Sequence, residues 1–527
     1  MALGKAIRLW RTLRYLRPVQ VLARLALRLP RGGVDSRPAP PVREASRPWS
    51  AMRQLPSTQT GADRFCFLGV ERTLASAQDW NRPDWPLLWS YNLHYFDDLV
   101  AEGAPERREW HRALLTRWMA ENPPGTGIGW APYPSSLRIA NWVQWSLAGN
   151  ALDEAGTHSL AMQARFLRRR LEHHLLGNHL WANAKALVFA GAYFAGPEAE
   201  AWRSTGLRLL RRELAEQVLP DGGHFERSPM YHAIILTDIL DLIQLDRCYP
   251  ALLPADDVAA WQACAVRMLR WLRVMSHPDG GIAFFNDAAF DIAPPLATLR
   301  RYAQALALPD DAASLAPVET LAPSGYVRMQ SGGAVLIADV GVVGPDYLPG
   351  HAHADTLSFE LSVDGRRVLV NSGTSTYEAS AERLRQRGTA AHNTVVVDGQ
   401  DSSEVWRSFR VARRARPFHV ALGEQGGTTW LRAAHDGYRR LAGQVVHRRE
   451  WRLSSFGLSV ADRLEGDYES AEARFHFAPD AEPEWRVEGA IASLSPSTWH
   501  PRFGASEGNV VLTVQPSGPA WATHFYW

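Results

Sequence analysis

The feature that most limits what this chain can fold into is a change of hydrophobic period at Pro323. From about Asn81 to Ala316 apolar residues recur three and four apart, as at Leu207, Leu210, Leu214 and Val218, which marks one apolar face of a helix. Predicted helices run Arg107 to Asn122, Leu137 to Ala148, His158 to Leu176, Ala184 to Phe194, Ala201 to Val218, Tyr231 to Arg247 and Ala255 to Met275, separated by Gly and Pro breaks. Beyond Pro323 the period falls to two. Leu357, Phe359, Leu361 and Val363 alternate with polar neighbours, and Asp364-Gly365 and Asp398-Gly399 supply turns. Many helices with short connections predict a helical toroid or solenoid, and the strands after them predict a β-sandwich.

The boundaries follow: residues 1–70 form a basic N-terminal segment and linker, 71–320 the helical domain and 321–527 the sandwich. The last roughly 110 residues, after Phe418, complete the sandwich without a chemical signal of their own. Residues 32–60, rich in Pro, Ser and Arg, read as the linker. Lys and Arg number 57 against 55 acids, so no overall field points to nucleic acid. Cys66, Cys248 and Cys264 are too few and too scattered for a disulfide framework or a metal knuckle. Twenty-one tryptophans suit either sugar stacking or helix cores.

Residues 1–33 contain no uninterrupted apolar core before a small-residue cleavage site, so they do not read as a secretory signal, and no stretch is long and apolar enough to span a bilayer. Arg8, Arg11, Arg14, Arg17, Arg24 and Arg28 recur at helical spacing with Leu9, Leu13, Leu16, Val21, Leu22 and Leu25 between them. Such a helix can lie on an anionic membrane surface or pack on the protein's own body. The compartment stays open, cytoplasmic, peripheral or periplasmic.

Five polar clusters carry chemistry. Gly350 to Tyr377 puts His351, His353 and Asp355 at the entry to a strand, where a histidine pair can supply a base and a metal ligand or sit as a satisfied surface pair. Gly177 to Asn183 inserts Asn178 and His179 between apolar helices, Asn178 also being a natural helix cap. Asp221 to His232 is a polar turn holding Glu226, Arg227 and Tyr231. Trp130 to Trp142 sets Tyr133 and Arg138 among aromatics, where an arginine can simply cover a tryptophan face. Arg383, Arg387 and His392 follow close behind the histidine strand and suit an anionic substrate, or a solvated arginine face.

In this order the motifs NH, SPMYH, GHAHAD…LSFEL…GR…NSGTSTY and R…RGTAAHNTVVVDG resemble the heparinase II/III family of polysaccharide lyases across roughly Trp85 to Phe418. The resemblance implies an α+β multidomain chain, an incomplete (α/α) toroid followed by an antiparallel β-sandwich, with a cleft between them. It implies β-elimination at C4 of a uronic acid in an acidic polysaccharide. There Asn178 neutralises the C5 carboxylate, assisted by His179 or Arg138, and Tyr231 and His351 serve as base and acid, with cations such as Arg227 easing ionisation of the phenol. Trp130, Tyr133, Glu226, Arg383 and Arg387 fall where substrate would bind. The family pattern also implies a structural Zn²⁺ on His353 and His392. The acid expected on the next strand is replaced by Asn371, with Asp355 as a substitute. No organic cofactor is implied.

Two other readings stay open. An inverting glycoside hydrolase needs two carboxylates across a cleft, with Asp221, Glu226 and Asp238 as candidates. A glycan-binding or exopolysaccharide-assembly protein would keep the fold without the chemistry. No GxGxxG, GxxxxGK[ST], HExxH or GxSxG motif supports a nucleotide, zinc-protease or triad-hydrolase reading.

Overall fold

The computed structural model describes residues 2–29, 32–50, 55–309 and 314–527. Eleven of its α-helices precede the β-rich half: α1 (Ala2–Leu13), α2 (Pro18–Ala26), α3 (Leu87–Tyr95), α4 (Arg108–Glu121), α5 (Pro132–Leu147), α6 (Glu154–Arg168), α7 (Gly177–Tyr193), α8 (Pro197–Gln217), α9 (Pro229–Cys248), α10 (Ala255–Val274) and α11 (Leu296–Ala305). One short helix, α12 (Ala381–Arg387), lies among the strands. The incomplete helical toroid and the antiparallel sheets after it are the architecture that the change of period predicts.

The toroid is built around α7, in which every residue except His179 is buried. A helix apolar all round belongs in a core, and each fully buried Leu or Val contributes roughly 1.5–3 kcal/mol. α8 approaches it closely at Gly206, where a Cβ would lie 2.6 Å from the Ala184 carbonyl oxygen. Trp80, Trp89, Trp118, Trp142, Trp181, Trp202, Trp261 and Trp271 are fully buried. The tryptophan count thus goes chiefly to packing rather than to sugar stacking.

The sandwich half holds three larger antiparallel sheets beside the two-stranded pair Val405–Trp406 and Arg410–Val411. Five strands (Val318–Leu321, Tyr326–Ser331, Ala334–Asp339, Phe359–Val363, Arg366–Leu369) pair in sequence order. A six-stranded sheet runs Pro417–Gln425, Thr428–His435, Val446–Leu453, Gly457–Glu465, Ala520–Tyr526, Glu484–Glu488. A four-stranded sheet runs Ala490–Trp499, Glu507–Pro516, Ala471–His476, Val395–Val397. Their inner faces share one core that includes Phe359, Trp451, Phe475 and Phe525.

Three expectations shift. α7 begins seven residues before Ala184, so Asn178 stands inside the first turn and Leu176, not Asn178, precedes the helix as its cap. The buried polar residues there break the apolar period that would have revealed the start. The helix expected to reach Leu176 ends at Arg168. The stretch read as a linker lies against the helical body: Arg43 N–H donates to the Tyr193 carbonyl at 2.7 Å, Ser46 to Cys248 at 2.9 Å and Trp49 to Leu147 at 2.9 Å. Its backbone thereby satisfies helix C-terminal carbonyls.

Candidate active site

Where the two halves meet, a cleft of about 1230 Å³ opens, lined from the helical side by Tyr133, Asn178, His179, Glu226 and Tyr231 and from the sandwich side by His351 and Tyr377. The seam is set by Asn286 and Asp287, at the end of the helical half. Asn286 has φ +58. Its side chain accepts from His353 N–H at 3.1 Å and donates to the Arg227 carbonyl at 2.9 Å, so it ties the histidine loop to the turn before α9.

Asp287 is the hub. Its carboxylate accepts from His351 Nδ1 (2.9 Å), His353 Nε2 (2.8 Å) and Arg383 Nη2 (2.7 Å), and Arg383 Nη1 grips the other oxygen. Burial alone would raise this carboxyl, but the Arg383 guanidinium and the two imidazoles hold it well below the usual range. A charged Asp287 fixes the proton of His351 on Nδ1 and leaves Nε2 as an open lone pair beside the cleft. Burial also lowers the His351 pKa, Asp287 opposing, so the ring rests neutral and can accept a proton.

Tyr231 enters from α9, whose N-terminus is capped by Ser228 Oγ accepting from Tyr231 N–H at 3.2 Å. Its ring lies against His351, centroids 3.9 Å apart, and its hydroxyl is 3.1 Å from that of Tyr377. Burial, then Tyr377 and Asp287, push the phenol well above its ordinary pKa. Arg227 does not relieve this. Its guanidinium turns away to the Val342 carbonyl at 2.7 Å, so the expected cationic help is missing. The phenol therefore rests as a proton donor.

Asn178 and His179 are presented by the turn into α7, where Leu176 is held at φ +67, a conformation costing roughly 1–3 kcal/mol for a side chain of this kind. His179 Nδ1 bonds Glu172 at 3.0 Å, and its ring packs on Tyr133 at 4.4 Å. Glu226 is 2% exposed, and neither of its oxygens has a hydrogen-bond partner. Oε2 lies 3.9 Å from His351 Nε2. Burial, with Asp287 nearby, pushes this carboxyl up to about 8, so it stands as a neutral acid in the cleft.

The heparinase II/III N-terminal model matches residues 108–312, and the heparinase II/III-like C-terminal model matches 313–526. The chain belongs to the heparinase II/III family. Among similar proteins, FtsZ-localized protein C of Caulobacter vibrioides is 28% identical over 471 residues, covering 82% of this chain and 73% of that one. A heparin-sulfate lyase of Bacteroides stercoris is 28% identical over 249 residues, covering 43% of this chain and only 36% of its own length. A heparinase III structure superposes with TM-score 0.67 at 18% identity, covering 87% of this chain and 79% of that one, which supports the fold.

Within this heparinase-type cleft the other expected residues sort by depth. Tyr133 lines it. Trp130 does not: it is buried in the helical core, its ring against Phe166 at 5.1 Å. Arg138 is likewise fully buried, its guanidinium 3.9 Å over Trp118 and donating to Gln163 at 2.9 Å, so it cannot assist at a substrate carboxylate. Arg383 lies behind His351 on Asp287, and Arg387 holds the Ala352 carbonyl at 2.8 Å. The cations that do line the cleft include Arg24, Lys185, Arg410 and Arg502. Of the acids considered for hydrolysis, Asp221 caps backbone N–H groups of Gly223 and Ser324 and Asp238 binds Lys185, which leaves Glu226 without an acid partner from that set.

Two of the residues expected on zinc face one another. His353 Nδ1 and His392 Nε2 lie 3.2 Å apart as a hydrogen-bonded pair. Asn371 gives its carbonyl to Asn393 N–H and its amide to the Phe284 carbonyl. Asp355 accepts from Asn286 N–H. Sequence reasoning missed Asp287 and Tyr377. Tyr377 closes the NSGTSTY motif, but a lone Asn-Asp pair after Phe284-Phe285 carries no local signal.

Proposed function

We propose that the chain cleaves an acidic, uronate-containing polysaccharide by β-elimination, with His351 as base and Tyr231 as acid. The observation that carries this reading is the Asp287–His351–Tyr231 arrangement: an imidazole whose Nδ1 is held by Asp287 at 2.9 Å, its ring tilted against that of Tyr231 with centroids 3.9 Å apart. His351 Nε2 takes the C5 proton, and Tyr231 passes its proton to the departing O4. The electron pair left by the C5–H bond becomes the C4–C5 π bond as the C4–O4 bond breaks and its pair departs on O4. Charge building on the carboxylate is met by the Asn178 amide and by protonated Glu226, two donors that bring no extra negative charge. Tyr377 stands ready to hydrogen-bond the Tyr231 oxygen once it has given up its proton.

The test is ultraviolet absorbance of the conjugated C4–C5 product during incubation with a panel of acidic polysaccharides. Absorbance that rises with the wild type and is lost with Tyr231→Phe supports the reading. New reducing ends without absorbance favour hydrolysis instead.

A second reading has one observation behind it: the relative matched over 82% of this chain is named for localisation to FtsZ, not for cleavage. On that reading the cleft binds a glycan, or the protein serves an assembly, without turnover. Glycan binding by the wild type with no new double bond and no new reducing ends marks that outcome.

A further inference from the structure

We infer that α1 and α2 form a docking surface for an anionic lipid bilayer. The two helices meet at an elbow that is pinned to both halves of the protein. Trp406 Nε1 donates to Thr12 Oγ1 at 3.1 Å, Arg414 stacks on Tyr15 at 4.0 Å, and Arg17 pairs with Glu216 at 2.5 Å while lying 3.7 Å over the Tyr347 ring. Gln20 reaches the Tyr347 carbonyl at 3.4 Å and is the single buried residue of α2. Val19, Leu22, Ala23 and Ala26 border a groove against Arg168, Leu171 and His174 of the helical body.

What they expose is unusual for a water-facing element. Ile7, Leu9, Trp10, Leu13, Val19, Val21, Leu22, Leu25, Leu27 and Leu29 are ten of the 24 large apolar side chains exposed among the described residues, gathered in under thirty positions. Trp10 is 61%, Leu22 64% and Leu29 66% exposed. An apolar patch of this density marks an interaction site.

The charge around the patch selects the partner. Residues 1–34 carry eight Lys or Arg and no Asp or Glu, while the remaining 493 residues carry 49 against 55 acids. The cations alternate with the apolar side chains along both helices, so long arginines can reach headgroups while Leu, Val and Trp enter the acyl boundary. A protein partner or a second copy would need an acidic, apolar groove, whereas an anionic bilayer offers both features at once. Among the described residues no helix is long and apolar enough to cross a membrane, so this contact lies on the surface.

The placement adds a consequence. Thr12, Leu13, Leu16, Gln20 and Arg24 also line the cleft, so docking turns its mouth toward the lipid.

The test is flotation of the full chain with phosphatidylcholine vesicles containing about 30% phosphatidylglycerol, beside vesicles of phosphatidylcholine alone. Partitioning is expected to be at least ~10-fold greater with the anionic vesicles and to weaken with salt. Leu22→Asp with Leu25→Asp, and separately Arg8→Glu with Arg28→Glu, should each abolish it at unchanged melting temperature. Retention of a soluble polyuronate by the leucine pair variant shows that its loss is not one of glycan binding. No flotation, equal flotation with both vesicles, or variants that float like the wild type would overturn the inference. So would a self-associated wild type that the leucine pair variant converts to monomer.

Discussion

At the scale of residues, the site is governed by what one carboxylate compels of its neighbours. Asp287 has no solvent to share its charge with, so Arg383 neutralises it and the two histidines donate ring N–H hydrogen bonds to it. Asp287→Asn keeps the shape but frees the buried Arg383 charge and lets His351 turn. We expect catalytic rate to fall by at least ~10²-fold and stability by roughly 3–5 kcal/mol, measured by turnover and urea denaturation. A variant with normal stability and normal turnover contradicts that role. Glu226 gives a pH signature of the opposite kind. Its pKa rises from 4.5 to about 8 on folding, so between those values the folded chain holds a proton that the unfolded chain has released. This group therefore makes stability fall as pH climbs from about 4.5 to about 8, and the full cost is present above that range. Glu226→Gln should flatten this decline by more than ~1 kcal/mol between pH 5 and 8.5, read from denaturation midpoints. Parallel slopes for the two proteins would mean the carboxyl is already ionised.

At the scale of elements, α7, which carries Asn178 in its first turn, packs closely on α8. Gly206 lies inside α8, where helix propensity alone favours alanine by roughly 0.8–1 kcal/mol. A Cβ there would meet the Ala184 carbonyl at 2.6 Å and the Val188 side chain at 2.7 Å. We expect the clash to win, with Gly206→Ala losing about 1–3 kcal/mol in thermal or urea unfolding; a gain in stability would show that the helices part without cost. The same packing explains what could be read beforehand. α9 and α10 were legible because each carries a long apolar period, and Tyr231 and His351 because their motifs are local. Asn178 was found by motif while its helix start was not, since its turn hides polar groups in the core. Asp287 was invisible. Its importance comes from three residues 64 to 96 positions away, and no spacing within the chain reports such a convergence. Arg138 and Trp130 misled because aromatic and cationic residues near a motif look alike whether they face a cleft or a core.

At the scale of the whole molecule, the cleft exists because a helical body and a sandwich are joined through one seam, each supplying half of the proposed proton-transfer pair. Tyr231 comes from α9 and His351 from the loop before Phe359–Val363. The proposed mechanism assigns the two groups different tasks, and a substrate can separate them. A uronoside bearing fluoride at C4 needs no proton on its leaving group, whereas removal of the C5 proton remains obligatory. The decisive measurement is the elimination rate of such a substrate with the wild type, Tyr231→Phe and His351→Ala. The account predicts that Tyr231→Phe recovers most of the rate it loses on the natural glycan, while His351→Ala remains inactive. Recovery by His351→Ala with a dead Tyr231→Phe would reverse the roles of acid and base and contradict it.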